Sequence, residues 1–242
     1  MPALRAVLFD LDGVLTPTAE LHMRAWELLF APLCAERGLA PYEVSDYFAH
    51  IDGKPRYDGV AAFLASRSVD LPHGTTSDPP GDGTVCALGN RKDELVNRLF
   101  VDEGIEPYPG SVSFLDAVTA AGAAVAVVSS SRNTPTVLAA SGLADRFGVV
   151  VDGNRAAAEK LAGKPAPDTY LRAAELLGVP AAQAVVVEDA ISGVQSGRAG
   201  AFGLVVGVDR GVGASALRAN GADLVVADLG ELDAAVLDRV PA

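Results

Sequence analysis

Cysteine is nearly absent. The 242-residue chain has two, Cys34 and Cys86, far apart and with no His or Cys beside them at metal spacing. That argues against a disulfide framework and a thiolate metal site, and fits reduced thiols in a cytoplasmic protein. Positive charge is also scarce: 19 Lys and Arg stand against 31 Asp and Glu, a net charge of −12. Such a chain repels phosphate backbones, so no nucleic-acid partner is expected. It also burdens any anionic substrate, which then needs local cations or a metal to offset the field. Long apolar runs are missing too. The start, "MPALRAVLFD", has too short an apolar run for a signal peptide. No stretch reaches the length of a membrane span without a charge or a turn residue, so no membrane partner is expected. Beyond a strand–helix alternation there is no internal repeat, and there is no low-complexity tract.

What is present is apolar material in short runs. Half of the residues are apolar, enough to bury a core and allow a smaller insert. "RAVLFD" (5–10), "AAVAVVSS" (123–130), "GVVVD" (148–152), "AVVVEDA" (184–190), "AFGLVVGVD" (201–209) and "ADLVVADL" (222–229) are nearly all apolar, as strands buried on both faces are. Helix-like segments lie between them. "SVSFLDAVTAAG" ends on glycine, and "NTPTVLAASGL" has a capped start before proline. "PAPDTYLRAAELLGV" puts Leu171, Ala174, Leu176 and Leu177 on one face. The alternation from Gly110 onward predicts a doubly wound, parallel, Rossmann-like α/β sheet.

Residues 17–105 read differently. Helical patterns run over 20–38, 41–50, 57–68 and 91–103, with no convincing strand. The expected organisation is an α/β core from 1–16 and 106–242, with a helical insert at 17–105. Within the insert, 70–90 is rich in Gly, Pro, Ser and Asp, and too long for an ordinary connection.

Distinctive polar groups sit just past four strand ends, where open α/β sheets bind ligands. Asp10-Leu11-Asp12-Gly13 places two acids at one locus, where their charges repel unless a cation intervenes. An EF-hand loop fails there, because its fifth and twelfth positions are Val14 and Leu21. Ser129-Ser130-Ser131-Arg132-Asn133 offers hydroxyls and backbone N–H groups to an anion, or a plain helix cap. Lys164 lies between Gly163 and Pro165, and Pro167 bars helix before it. Glu188-Asp189 ends "AVVVEDA" with a second acid pair. If the pairs meet, four carboxylates converge, and a hard divalent cation bound by oxygen alone, Mg²⁺, makes that tolerable.

Taken together and in this order, the four signals resemble the haloacid dehalogenase superfamily over nearly the whole chain. The helical segment resembles its α-helical cap, the part that sets substrate specificity. The resemblance implies phosphoryl transfer with Asp10 as nucleophile and Asp12 as general acid, then base. It implies Mg²⁺ held by Asp10, the Asp12 carbonyl and Asp189, with Glu188 direct or behind them. Ser129, Ser130 and Lys164 would bind the phosphate.

Within that superfamily, "DLDGVLTPTAELHMRAW" resembles the β-phosphoglucomutase family, with Thr18, Ala19, Glu20, His22 and Trp26. "IDGKPRYDGV" resembles its substrate loop through Gly53, Lys54 and Arg56, and "GNRKDELV" offers Lys92 as its cap lysine. Ser131, Arg132 and Asn133 match a further segment, with Arg132 in place of lysine. Two departures are Pro17, where an acid is common, and the long 70–90 loop. A mutase intermediate carries two phosphates, and Arg56 with Arg132 and Asn133 would supply the second anion site. The implied reaction interconverts β-glucose 1-phosphate and glucose 6-phosphate through glucose 1,6-bisphosphate, by a monomer. A sugar-phosphate phosphatase and a non-catalytic binding protein are the alternatives.

Overall fold

The structure, a computed structural model, describes residues 4–238. The six expected strands form one all-parallel sheet. They are β1 (Ala6–Phe9), β2 (Ala124–Val128), β3 (Val149–Val151), β4 (Ala184–Glu188), β5 (Leu204–Val208) and β6 (Leu224–Val226). Their order is β3-β2-β1-β4-β5-β6. The chain therefore winds outward from β1 in one direction, then restarts beside β1 at β4 and winds the other way. The carboxyl ends of β1 and β4 flank that reversal, with Phe9 in register with Val127 and Val187.

Both faces are covered, which explains why the strands read as continuous apolar runs. Leu8 packs with Val128, Val186, Tyr170 and Ala173 on one side. Phe9 points the other way and meets Phe114 and Phe147 edge-on, at ring separations of 5.9 and 6.1 Å.

Among the described residues ten α-helices accompany the strands: α1 (Thr18–Glu36), α2 (Val44–Asp46), α3 (Arg56–Ser66), α4 (Val85–Glu103), α5 (Pro109–Ala120), α6 (Thr134–Ala140), α7 (Gly153–Glu159), α8 (Asp168–Leu177), α9 (Ile191–Ala199) and α10 (Ala214–Ala219). The chain divides into two compact units, Thr18–Gly104 and the remainder. The helical unit holds α1 to α4. Its core stacks Trp26 on Phe30 at 5.4 Å and Phe30 on Phe63 at 3.9 Å. Leu29, Leu33, Val60 and Leu88 complete it, and each such buried side chain contributes roughly 1.5–3 kcal/mol.

Three sequence expectations are corrected. The last helix of the insert starts at Val85 rather than 91, because the Thr84 hydroxyl caps it by accepting the Ala87 N–H at 3.0 Å. The 41–50 segment is a short helix followed by a π-helical turn, Tyr47–Ile51. In α8 the buried face carries Thr169, Tyr170, Ala173 and Ala174, while Leu171 and Leu176 are exposed. The register is set by Tyr170, which fills the core and reaches a polar partner there. Leu-based periodicity cannot register that preference. Of the helices that the strand-and-helix reading did not predict, α9 is the most informative. Its Gly193 and Gly197 lower helix propensity, but a Cβ on Gly197 would press on Val186 and Val205.

Candidate active site

Asp10 follows β1 directly and its N–H donates to Val187 O at 2.9 Å, so the strand pairing itself aims it. It is buried, as are Lys164 and Glu188. Lys164 joins them: its ammonium donates to Asp10 Oδ1 at 2.5 Å, to Val128 O at 3.3 Å, and to Glu188 Oε1. Glu188 is held by three further donors. Tyr170 Oη donates to Oε1 at 2.9 Å, and the N–H groups of Asp189 and Ala190 donate to Oε2 at 3.1 and 3.2 Å.

Burial pushes the Asp10 carboxyl well above the usual carboxylate range, and Glu188 and Asp12 add to this while Lys164 opposes it. Burial alone would pull the Lys164 ammonium down, but Asp10 and Glu188 together hold it raised and charged. One ammonium thus serves two buried carboxylates, and the negative charge is in excess.

One oxygen each from Asp10, Glu188 and Asp189 lie within 4.8 Å of one another. These are hard oxygen donors, and their uncompensated charge fits a small divalent cation. The backbone is shaped around the acids. A Cβ at Gly13, whose φ is +89°, would overlap the Asp189 carboxylate, and one at Gly193 would overlap that of Glu188.

Asp12 is half-buried and its Oδ2 accepts from Ser129 Oγ at 3.2 Å. Ser129 Oγ also accepts the Ser131 N–H at 3.0 Å, and Ser131 Oγ accepts the Asn133 N–H at 3.1 Å. The loop through Ser130, Arg132 and Asn133 is pinned from the end of β3. Gly153 N–H donates to Ser131 O at 3.0 Å, and Asn154 Nδ2 donates to Arg132 O at 2.9 Å. Asp10, Asp12, Ser129, Lys164, Glu188 and Asp189 are therefore linked or adjacent at the carboxyl edge of the sheet.

The helical unit assembles its own polar group. His22 Nδ1 on α1 meets Lys92 Nζ on α4, and Lys92 is buried with its ammonium 5.0 Å from the Trp26 ring centre. Arg56, at the start of α3, binds Asp93 at 2.5 Å. Lys54 Nζ donates to His50 O at 2.7 Å, and Gly53 turns at φ +69°. Gly89 admits the Tyr57 ring, whose hydroxyl donates to Asn90 at 2.9 Å.

With the geometry in place, comparison with known proteins decides the family: haloacid dehalogenase-like hydrolase matches residues 4–200. The chain belongs to that family. It is 52% identical over 240 residues to the β-phosphoglucomutase of Mycobacterium bovis, covering 95% of this chain and 91% of that protein. It is 33% identical over 196 residues to hexitol phosphatase A of Escherichia coli, covering 81% and 79%. The crystal structure of β-phosphoglucomutase from Clostridium difficile shares the fold, with a TM-score of 0.78 at 23% identity over 97% and 96% of the chains. This family member is thus a phosphoryl-transfer enzyme.

Sequence reasoning missed several parts of this haloacid dehalogenase-like site. Tyr170 reads as a helix aromatic, although its place six residues after Lys164 was a signal. Gly193 carries a clearer one, a glycine inside a helix just after the second acid pair. Asp152, which caps α7 by accepting the N–H groups of Asn154 and Arg155, reads only as a strand end. Among the described residues no helix is long and apolar enough to cross a membrane.

Proposed function

We propose that this chain is a Mg²⁺-dependent phosphomutase that interconverts β-D-glucose 1-phosphate and glucose 6-phosphate through an aspartyl-phosphate and glucose 1,6-bisphosphate. The observation that carries the reading is the 52% identity to a β-phosphoglucomutase across 95% of the chain. The site chemistry supports it. Asp10 Oδ attacks phosphorus, the bond from phosphorus to the sugar oxygen breaks, and Asp12 gives that oxygen a proton. Asp12 then takes the proton of the next sugar hydroxyl as that hydroxyl recaptures the phosphoryl group. Such proton transfers accelerate reactions by roughly 10²–10⁴-fold.

Lys164 and Ser129, with Ser130, bind the phosphate oxygens. Asp10, the Asp12 carbonyl and Asp189, with Glu188 direct or behind them, would hold Mg²⁺, which would neutralise the acids and the transferring group. Glu188 accepts from Lys164, Tyr170 and the N–H groups of Asp189 and Ala190, so its part is to orient Lys164 and its neighbours. In the helical unit, which acts as the specificity cap, His22, Gly53, Lys54, Arg56 and Lys92 recognise the sugar phosphate. Arg56, with Arg132 and Asn133, takes its second phosphate, and Ser131 joins in binding the substrate. The protein is proposed to work as a cytoplasmic monomer.

The test supplies β-glucose 1-phosphate, Mg²⁺ and a trace of glucose 1,6-bisphosphate, and follows glucose 6-phosphate and free phosphate together. Glucose 6-phosphate with little free phosphate is the expected result, and EDTA is expected to stop it. The second reading, a sugar-phosphate phosphatase, draws on the 33% identity to hexitol phosphatase A. Free phosphate without glucose 6-phosphate would establish it instead.

A further inference from the structure

Gly13, Val14 and Leu15 carry the chain from the Asp10–Asp12 turn toward its departure from the α/β unit after Pro17. Each of the three presents its carbonyl to a donor from elsewhere. Ser111 Oγ donates to Val14 O at 2.6 Å, and the Tyr108 N–H to Leu15 O at 3.0 Å. Both belong to the segment by which the chain re-enters the unit. The third donor comes from the loop after β5: Arg210 Nε donates to Gly13 O at 2.9 Å.

Arg210 does more than make that bond. Its guanidinium carbon lies 3.8 Å from the centre of the Tyr108 ring. Its Nη1 donates to Ala227 O at 3.2 Å, and its Nη2 lies 3.7 Å from Asp228 Oδ2. One planar cation therefore touches the Asp10–Asp12 turn, the re-entry segment and the loop after β6. A lysine in its place could keep the charge but not the fork and the stacked plane together.

We propose that Arg210 is a positioning residue for Asp12, acting through the Gly13 peptide. Asp10 and Asp12 are held in different ways. Asp10 is tied by its own N–H to Val187 and by its carboxylate to Lys164. Asp12 precedes Gly13, whose N–H donates to Thr16 O at 2.8 Å and whose carbonyl, in the following peptide, is the one Arg210 holds; the Asp12 carboxylate accepts the 3.2 Å bond from Ser129. Releasing the Gly13 carbonyl loosens the Gly13–Val14 peptide, one residue beyond Asp12, so that the turn carrying Asp12 can pivot about Gly13 while the anchors of Asp10 stay intact. The consequence is selective: proton delivery by Asp12 is impaired more than attack by Asp10. This rests on the roles assigned to Asp10 and Asp12 under the proposed function.

The leaving group reads that selectivity. An alkoxide from a sugar phosphate needs a proton as it departs, whereas p-nitrophenolate leaves as a stable anion. The experiment compares Arg210→Ala, Arg210→Lys, Asp12→Asn and wild type, each as the full chain with Mg²⁺. Each is given p-nitrophenyl phosphate and whichever of the hexose 1- and 6-phosphates wild type turns over fastest. Thermal melting identifies folded variants, and Arg210→Lys serves if Arg210→Ala does not fold. The expected result, read as the rate of leaving-group release in the first turnover because the later transfer from Asp10 is common to both substrates, is a loss on the sugar phosphate about tenfold greater than on the aryl phosphate in both Asp12→Asn and the Arg210 variants. If Asp12→Asn is selective and the folded Arg210 variants lose both activities equally, or neither, the Arg210 proposal alone is overturned. If Asp12→Asn is itself unselective, the reading of Asp12 falls and this proposal with it.

Discussion

The Tyr170 hydroxyl donates to Glu188 Oε1 at 2.9 Å, and both side chains are buried. The same oxygen receives the Lys164 ammonium, and Lys164 in turn lies 5.1 Å from the centre of the Tyr170 ring. Burial first, and Glu188 second, push the Tyr170 phenol well above its ordinary range, so it remains a donor. A core aromatic of α8 thus also finishes the polar shell around the site.

Tyr170→Phe removes that donor and keeps the ring. A hydrogen bond to a charged group contributes about 1.5–3 kcal/mol. Urea denaturation is expected to show a stability loss in that range, with an unchanged m-value. Turnover is expected to fall less than for any change at Lys164, since three other donors still hold Glu188. Unchanged stability would show that the phenol oxygen is not the partner Glu188 depends on.

Lys164→Met has the opposite character. It keeps a long unbranched chain but leaves two buried carboxylates without their cation. Breaking a buried pair by removing one partner costs roughly 3–5 kcal/mol. The double variant Lys164→Met, Glu188→Gln is expected to recover part of that loss, because one unpaired charge is gone. A double-mutant cycle by chemical denaturation in EDTA measures the coupling, and simple additivity would contradict the shared ion pair. Phosphoryl transfer is expected to be lost in both variants.

How far the sequence alone carried differs between the two units. The strands of the sheet were legible because β1, β4 and β5 are buried throughout and the others in part, which writes apolar runs. The polar residues after β1, β2 and β4 were legible because buried strands rarely end in paired acids or in serine runs. Tyr170 and Arg210 were not. Tyr170 serves the core and the site together, and periodicity reports only the first. Arg210 acts on Gly13 across 197 residues of sequence, through a backbone carbonyl that no side-chain pattern encodes. In the helical unit, the start of α4 was hidden because its first turn follows a Gly- and Pro-rich loop and depends on a cap at Thr84. The pairing of Arg56 with Asp93 was equally hidden, since it joins two helices that sequence spacing does not relate.

Gly193→Ala tests the cradle of the second acid pair. The added methyl would overlap the Glu188 carboxylate, which packed backbone and Lys164 prevent from retreating freely. A misplacement of about 1 Å at a catalytic site costs on the order of 10²-fold in rate. A loss of that size in kcat is expected, together with weaker Mg²⁺ binding measured by calorimetry on the folded variant. Wild-type turnover in Gly193→Ala would mean that Glu188 has room the structure does not show.

The last expectation concerns the helical unit and acid. Asp46 accepts Arg67 Nη2 at 2.6 Å and the Glu43 N–H at 2.9 Å. Burial alone would raise its pKa, but the Glu43 N–H and the Arg67 guanidinium together hold it below the ordinary carboxylate value. A carboxylate whose folded pKa is depressed stabilises the fold fully above its unfolded value, near 3.9, and loses that contribution as the pH falls through the lower folded value. Asp46→Asn is therefore expected to cost on the order of 1–2 kcal/mol at pH 6–7, between a surface pair and a buried one. The gap between wild type and variant should stay constant down to about pH 5 and close below about pH 4, as wild-type Asp46 takes up its proton. Urea denaturation of both proteins across that range measures it, and a gap that widened toward acid would reverse the sign of the linkage and remove Asp46 as a stabilising anion.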